Sequence, residues 1–165
     1  MKGRTVMAVN LNRLYHININ VTDLERSIAF YESLGFHVTA RFKMEGELGE
    51  RNASAFGVPF NPIEAAFLKL GDGPKSMLID LCQHLDPPTE GTPVQSLHHA
   101  GFVRLAFHVD NIEEVYEELL RMGVKMLGPL EFMTPPGGSR SGVFAFYDPD
   151  GTILEVLTGV EHMSE

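Results

Sequence analysis

At 165 residues, with 44% hydrophobic and 21% charged residues, the chain has the length and composition of one globular domain with a sizeable core, which excludes a disordered chain. Thirteen Lys and Arg against 22 Asp and Glu leave a net charge of −9, and the cations are scattered. That excludes a surface that tracks nucleic-acid phosphates, because such binding draws its affinity from clustered positive charge.

No segment approaches the ~20 apolar residues of a membrane-spanning helix, and the start "MKGRTVMAVN" is too short and polar for a signal peptide. The single Cys82 rules out an internal disulfide, so a reducing, cytoplasmic location is expected. Cys82 lies in the apolar run "MLIDLC" and reads as a small buried hydrophobe.

The first element is "LYHININV" (14–21), which alternates as a half-buried strand does. Tyr15, Ile17, Ile19 and Val21 share one face, and His16, Asn18 and Asn20 the other. "TDLERSIAFYESLGF" (22–36) then places apolar residues three and four apart, the spacing of an amphipathic helix. Thr22 with Glu25 reads as the start of that helix and Gly35 as its stop. Strand-like runs follow at 36–43, 65–70 and 77–83, separated by a longer segment, 44–63, whose "ERNASAFG" reads as a short helix. The stretch 84–101, rich in Pro, Gly and Thr, reads as a boundary.

Beyond it the pattern starts again. When residue 14 is laid on residue 102, "FVRLAFHVDNIEEVYEELLRMGV" (102–124) reproduces the first strand, helix and glycine stop with few identical residues. Asp110 with Glu113 is the expected helix start and Gly123 the stop. Runs at 124–129, 142–148 and 152–158 complete a second strand, helix, strand, strand, strand series. The predicted fold class is α+β: one domain over 12–159, made of two βαβββ modules (12–85 and 101–159) joined by a linker (86–100). A four-stranded sheet with its helix on one face must bury or use the other. Two such sheets are expected to curl around a cup-shaped site.

Several residues are expected to face that cup: His16 and Asn18 from the first module, and Phe102, Arg104 and His108 from the second. Phe56 and Phe146 are candidates for its wall. Asp80 and Glu155 each sit alone among apolar strand neighbours, where an unpaired carboxylate costs several kcal/mol, so each needs a cation or donors. Arg104 can supply that cation as a core ion pair. His16 on these grounds alone is an ordinary half-buried histidine. His84, His98 and His99 fall in the boundary stretch and read as solvated. "DPDG" (148–151) is a tight turn.

The repeated module, the ending "FYDPDGTILEVL" and "LYHI" placed before "VTDLERSIAFYESLGF" together resemble the glyoxalase, bleomycin-resistance and extradiol-dioxygenase group, the vicinal oxygen chelate superfamily. The resemblance covers roughly residues 12–159. It implies metal positions on the first and last strands of each module, which fall on His16, Asp80 (where Glu is more usual) and Glu155. The fourth position falls on Arg104, where such proteins normally carry His. His108 cannot replace it, because four residues along a strand at about 3.3 Å each put it roughly 13 Å away.

From the resemblance follow three functional expectations. One is an enzyme of lyase or isomerase type acting on a small oxygen-bearing substrate, with Glu155 and Arg104 catalytic and a divalent metal (Zn, Ni, Co, Mn or Fe) as cofactor. A second is a metal-free protein that binds and sequesters a small molecule. The third is a ring-cleaving dioxygenase, which needs two histidines and a carboxylate where this chain offers one histidine. A small-molecule partner and a homodimer are expected, with no nucleic-acid or membrane partner.

Overall fold

The computed structural model describes residues 11–159 apart from 74, 75, 135 and 137. The chain divides into two compact units between Thr89 and Glu90, inside the Pro-, Gly- and Thr-rich stretch. Each unit is a four-stranded sheet with helices, so the fold is α+β and the βαβββ series occurs twice.

In the first unit β1 (His16–Asn20) leads into α1 (Leu24–Ser33), β2 (Phe36–Met44), α2 (Gly46–Phe56), β3 (Ile63–Leu70) and β4 (Leu78–His84). The sheet order is β1-β4-β3-β2, with β1 parallel to β4 and the other pairs antiparallel. Helix α1 buries Leu24, Ile28 and Tyr31, the apolar stripe that the sequence spacing marks out. The sheet answers with Leu68, Ile79 and Leu81, all fully buried. Each such side chain contributes about 1.5–3 kcal/mol of hydrophobic stabilisation.

The start of α1 differs from expectation by one residue. Asp23 caps it, its Oδ1 accepting from Arg26 N at 3.0 Å, while the Thr22 hydroxyl accepts from the Arg26 guanidinium. Two adjacent acceptors compete for one cap, and the extended backbone of Asp23 places its carboxylate over the free N–H groups. Gln83 on β4 adds a tertiary anchor, its side-chain oxygen accepting from Leu24 N at 2.8 Å. Gly35 follows the helix at φ +93°, as its position predicts.

The second unit carries β5 (Leu105–His108), α3 (Ile112–Arg121), β6 (Glu131–Met133), β7 (Ser141–Tyr147) and β8 (Ile153–Thr158), in the order β5-β8-β7-β6. The cap is again one residue late: Asn111, not Asp110, accepts from Glu114 N. The strand expected over 124–129 does not run its length. Residues 125–127 pair with β7 through two hydrogen bonds, Tyr147 N to Lys125 O and Leu127 N to Ala145 O. Gly128 and Pro129 then interrupt the pairing, since proline has no N–H to donate, and β6 resumes at Glu131.

The parity expected of Phe146 is also corrected. Gly142, Phe144 and Phe146 share one face of β7. A side chain at Gly142 would meet Ile112 of α3, and Phe144 packs edge-on against Tyr116 of α3, ring centroids 5.1 Å apart. Phe146, buried beside Phe144, therefore belongs to the helix-facing core rather than to a cup wall. The "DPDG" turn closes as expected, with Asp148 Oδ1 accepting from Asp150 N and Thr152 N.

Candidate functional site

Because β1 and β4 run parallel and in register, Asn18 lies opposite Asp80 and Asn20 opposite Cys82. The alternation that buries Ile79 and Leu81 beneath α1 turns Asp80, Cys82 and His84 to the other face, together with His16, Asn18 and Asn20. That face is the floor of a cavity of about 540 Å³, within the range of about 300–1,000 Å³ typical of small-molecule sites. Phe42, Met44, Ile63 and Phe67 of the sheet form its apolar sides. Helix α2 forms the remaining wall through Gly49, Asn52, Ala53 and Phe56. Phe56 lines this cavity of the first unit and is 74% exposed.

The polar floor is tightly tied on one side and loose on the other. The Asn18 amide donates to Asp80 O at 3.2 Å and to Cys82 Sγ at 2.9 Å. His16 Nε2 stands 3.8 Å from Asp80 Oδ2, beyond hydrogen-bond length. His16 Nδ1 and Asp80 Oδ1 are buried and, among the described residues, have no hydrogen-bond partner. Such atoms are costly to leave without a partner in a core.

Asp80 is only 8% exposed. Burial pushes its carboxyl above the usual carboxylate range, against the opposing pull of the Cys82 thiol, the His16 ring and the Asn18 amide. Burial also drives the Cys82 thiol up to about 12, helped by the adjacent Asp80 charge. Both effects disfavour the thiolate form at Cys82. The residue is buried, as expected, and in addition lines the cavity and accepts a hydrogen bond from Asn18.

Tyr15 likewise departs from its expected place beneath α1. It lies one residue before β1, half exposed, and its ring meets those of His16 (5.3 Å) and Phe67 (6.3 Å) on the cavity side. His16 and Phe67 are themselves 5.5 Å apart, and Phe67 and Phe42 5.0 Å. Phe42 and Phe67 on the cavity side thus belong to one chain of ring contacts with His16 and Tyr15.

In the second unit Arg104 precedes β5 and its guanidinium pairs with Glu155 of β8. Glu155 lies on the strand face opposite the buried Leu154 and Val156 and is 16% exposed in its side chain. The ion pair expected of an isolated carboxylate is the arrangement found for Glu155, with the arginine side part exposed. Phe102 is 62% exposed, and His108 is exposed at the end of β5. His84 lines the first unit's cavity, whereas His98 is held by Ser96 in an exposed turn beside His99.

A family model described as Glyoxalase/Bleomycin resistance protein/Dioxygenase superfamily matches residues 13–156. The chain belongs to this superfamily. Mitochondrial methylmalonyl-CoA epimerase of Homo sapiens is 28% identical over 118 residues, 72% of this chain. The match spans 58% of that relative's length. A glyoxalase family protein of Bacillus cereus superposes with a TM-score of 0.77 at 23% identity, covering 94% of this chain and 100% of that one. A variant of the fosfomycin resistance protein FosX of Listeria monocytogenes, in complex with Mn(II) and a dihydroxypropylphosphonic acid, superposes at 0.60 with 18% identity, covering 92% and 95%.

A divalent ion is therefore a group that members of this superfamily hold, and the donors of this chain can be tested against it. His16 and Asp80 present two free donor atoms on one floor. The Glu155 carboxylate is already bound to a guanidinium. A catalytic ion of this kind is held by about three protein donors, and no three His, Cys, Asp or Glu side chains gather in that way among the described residues. The donor set described does not fit a resident three-ligand ion, and the chemistry below uses the chain's own groups. Among the described residues, no helix is long and apolar enough to cross a membrane.

Proposed function

We propose that this protein is an enzyme of isomerase or lyase type that moves a proton on a small carbonyl compound bound in the cavity of the first unit. The observation that carries this reading is the buried Asp80 carboxyl, with an unpartnered oxygen, on the floor of an apolar-walled cavity. Burial raises its proton affinity above that of an ordinary carboxylate, which makes it the stronger base.

Asp80 Oδ1 takes the proton from the carbon beside the substrate carbonyl. The C–H electron pair becomes a C=C bond, and the charge settles on the carbonyl oxygen as an enolate. His16, beside Asp80, hydrogen-bonds that oxygen. Asn18 holds the backbone of Asp80 and the Cys82 sulfur, fixing the distance across which the proton travels. Return of the proton from Asp80 to the same carbon regenerates the substrate; where that carbon bears a hydroxyl, delivery of the proton to the former carbonyl carbon, with the hydroxyl proton passing to the former carbonyl oxygen, completes an isomerisation. Similarity to an epimerase supports a reaction of this type.

Deuterium exchange tests it. In D2O, the protein is expected to remove the α-proton signal of one class among hemithioacetals of 2-oxoaldehydes, acyl thioesters and simple ketones. Asp80→Asn should slow that exchange by roughly 10²–10⁴-fold, the usual size of a lost general base, and His16→Gln by less. Exchange by Asp80→Asn at the parent rate, or no exchange with any carbonyl class, overturns the proposal.

A further inference from the structure

We infer that the carbonyl compound taken by the first unit is neutral and aromatic, its ring held between the Phe67 cluster and Phe56 of α2. The inference rests on the proposed reaction for the word carbonyl, and on the cavity walls for the rest.

Charge is the first argument. No lysine or arginine lines the cavity among the described residues, and Asp80 is its one acidic group. An anionic ligand entering this apolar space would meet the Asp80 carboxyl with no lysine or arginine to offset it, and only the His16 and His84 rings to receive it. The reacting part of a carboxylate, phosphonate or phosphate ester is therefore disfavoured, although the fold is shared with a protein that holds a phosphonic acid.

Shape is the second. Tyr15, His16, Phe67 and Phe42 form a chain of ring contacts 5.0–6.3 Å between centroids along one side. Such spacing continues naturally into a further ring, edge-on or offset. The opposite wall is α2, and α2 is the element that sets the two units apart. Between β6 and β7 the second unit has no helix among its described residues, whereas the first inserts eleven helical residues between β2 and β3. Of these, Phe56 brings an aromatic face to the cavity mouth.

Polar recognition is the third. The Asn18 Nδ2 is spent on Asp80 and Cys82, Asn61 holds the backbone of residues 85–87, and Asn20 lines the cavity from the end of β1. Asn52 of α2 lines the cavity with its amide unpartnered among the described residues. A neutral amide offers one donor and one acceptor edge, which matches a hydroxyl or carbonyl and adds no charge. Helix α2 thus supplies both a ring contact and a hydrogen bond, and fixes the length of ligand that fits.

Equilibrium binding tests this without turnover, by NMR titration of the intact protein with acetophenone, 4-acetylbenzoate and cyclohexyl methyl ketone. Acetophenone is expected to bind at least tenfold more tightly than 4-acetylbenzoate and severalfold more tightly than the saturated ketone. Phe56→Ala should weaken acetophenone about fivefold; this side chain is mostly exposed, so the variant folds, and an unchanged thermal midpoint verifies it. Phe67→Ala should weaken it further. Equal or tighter binding of 4-acetylbenzoate, no preference for the arene, or an unaltered Kd in folded Phe56→Ala overturns the inference. Acetophenone bound with the stated preferences but never exchanging its α-protons would refute the proton-transfer reading and leave this one standing. α-Proton exchange confined to aliphatic or anionic carbonyl compounds would do the reverse.

Discussion

Replacing Arg104 by Met removes the cation from Glu155 and keeps most of the stem that packs beside it. The two side chains are unequally hidden, 39% exposed for Arg104 and 16% for Glu155. After the substitution a mostly buried carboxylate has lost its charged hydrogen-bond donor. A hydrogen bond to a charged group contributes about 1.5–3 kcal/mol, and discounting for the water that reaches this pair leaves about 1–2 kcal/mol. Glu155→Gln strands the guanidinium instead, but that group is more exposed and can be hydrated, so the loss should be below about 1 kcal/mol. In the double variant neither charge remains, and its stability should exceed the additive expectation by about 1 kcal/mol, whereas uncoupled sites add within about 0.3–0.5 kcal/mol. Urea unfolding of the four proteins measures all three quantities. Additivity, or a larger loss from Glu155→Gln than from Arg104→Met, would show that the carboxylate is satisfied by something other than this arginine.

Two further outcomes follow from the first unit. Asp80 has its carboxyl raised in the folded state, so its favourable contribution is complete below about pH 4, the unfolded value, and is lost as pH rises through the folded one. Asp80→Asn should therefore match the parent in urea midpoint at pH 4 and exceed it at pH 7.5; parallel pH curves would contradict the burial argument. Gly49→Ala should lower the midpoint, although alanine favours a helix interior by about 1 kcal/mol. Its Cβ would lie 2.4 Å from Phe60 and 2.9 Å from the Met44 carbonyl carbon, and backbone cannot yield as a side chain does. A raised midpoint in urea would show that α2 is free to shift.

What the sequence made legible was periodic. Alternation at 16–21 and the glycine stops at 35 and 123 carry their meaning within a few residues, and the structure has strands, helices and left-handed turns at those places. Choices between neighbours were harder. Thr22 and Asp23 are both good caps, and only the backbone angle decides. The break at Pro129 was masked by apolar neighbours that read as a continuous strand. Phe146 could be placed on either face, because parity across strands depends on register, which is a property of pairs rather than of one chain segment. For the site, His16, Asn18 and Asp80 were visible as polar residues misplaced in apolar strands. The roles of Asn52 and Cys82 were not, since a helix packed across a sheet leaves no periodic trace in the strands that it covers. Glycine at 49 was the available signal: a helix interior accepts it at a cost, and here it permits close approach to β2.

The parallel pairing of β1 with β4 has a consequence for the order in which the molecule is made. Asn18 and the Asp80 carbonyl that it holds are 62 residues apart in the chain. During synthesis the N-terminal strand emerges early and then waits, its edge unpaired, until almost the entire first unit has left the ribosome. Closing so long a loop is entropically slow. The cavity floor is accordingly among the last parts of this unit to exist, and a small molecule that fits it would favour the completed form over every earlier one.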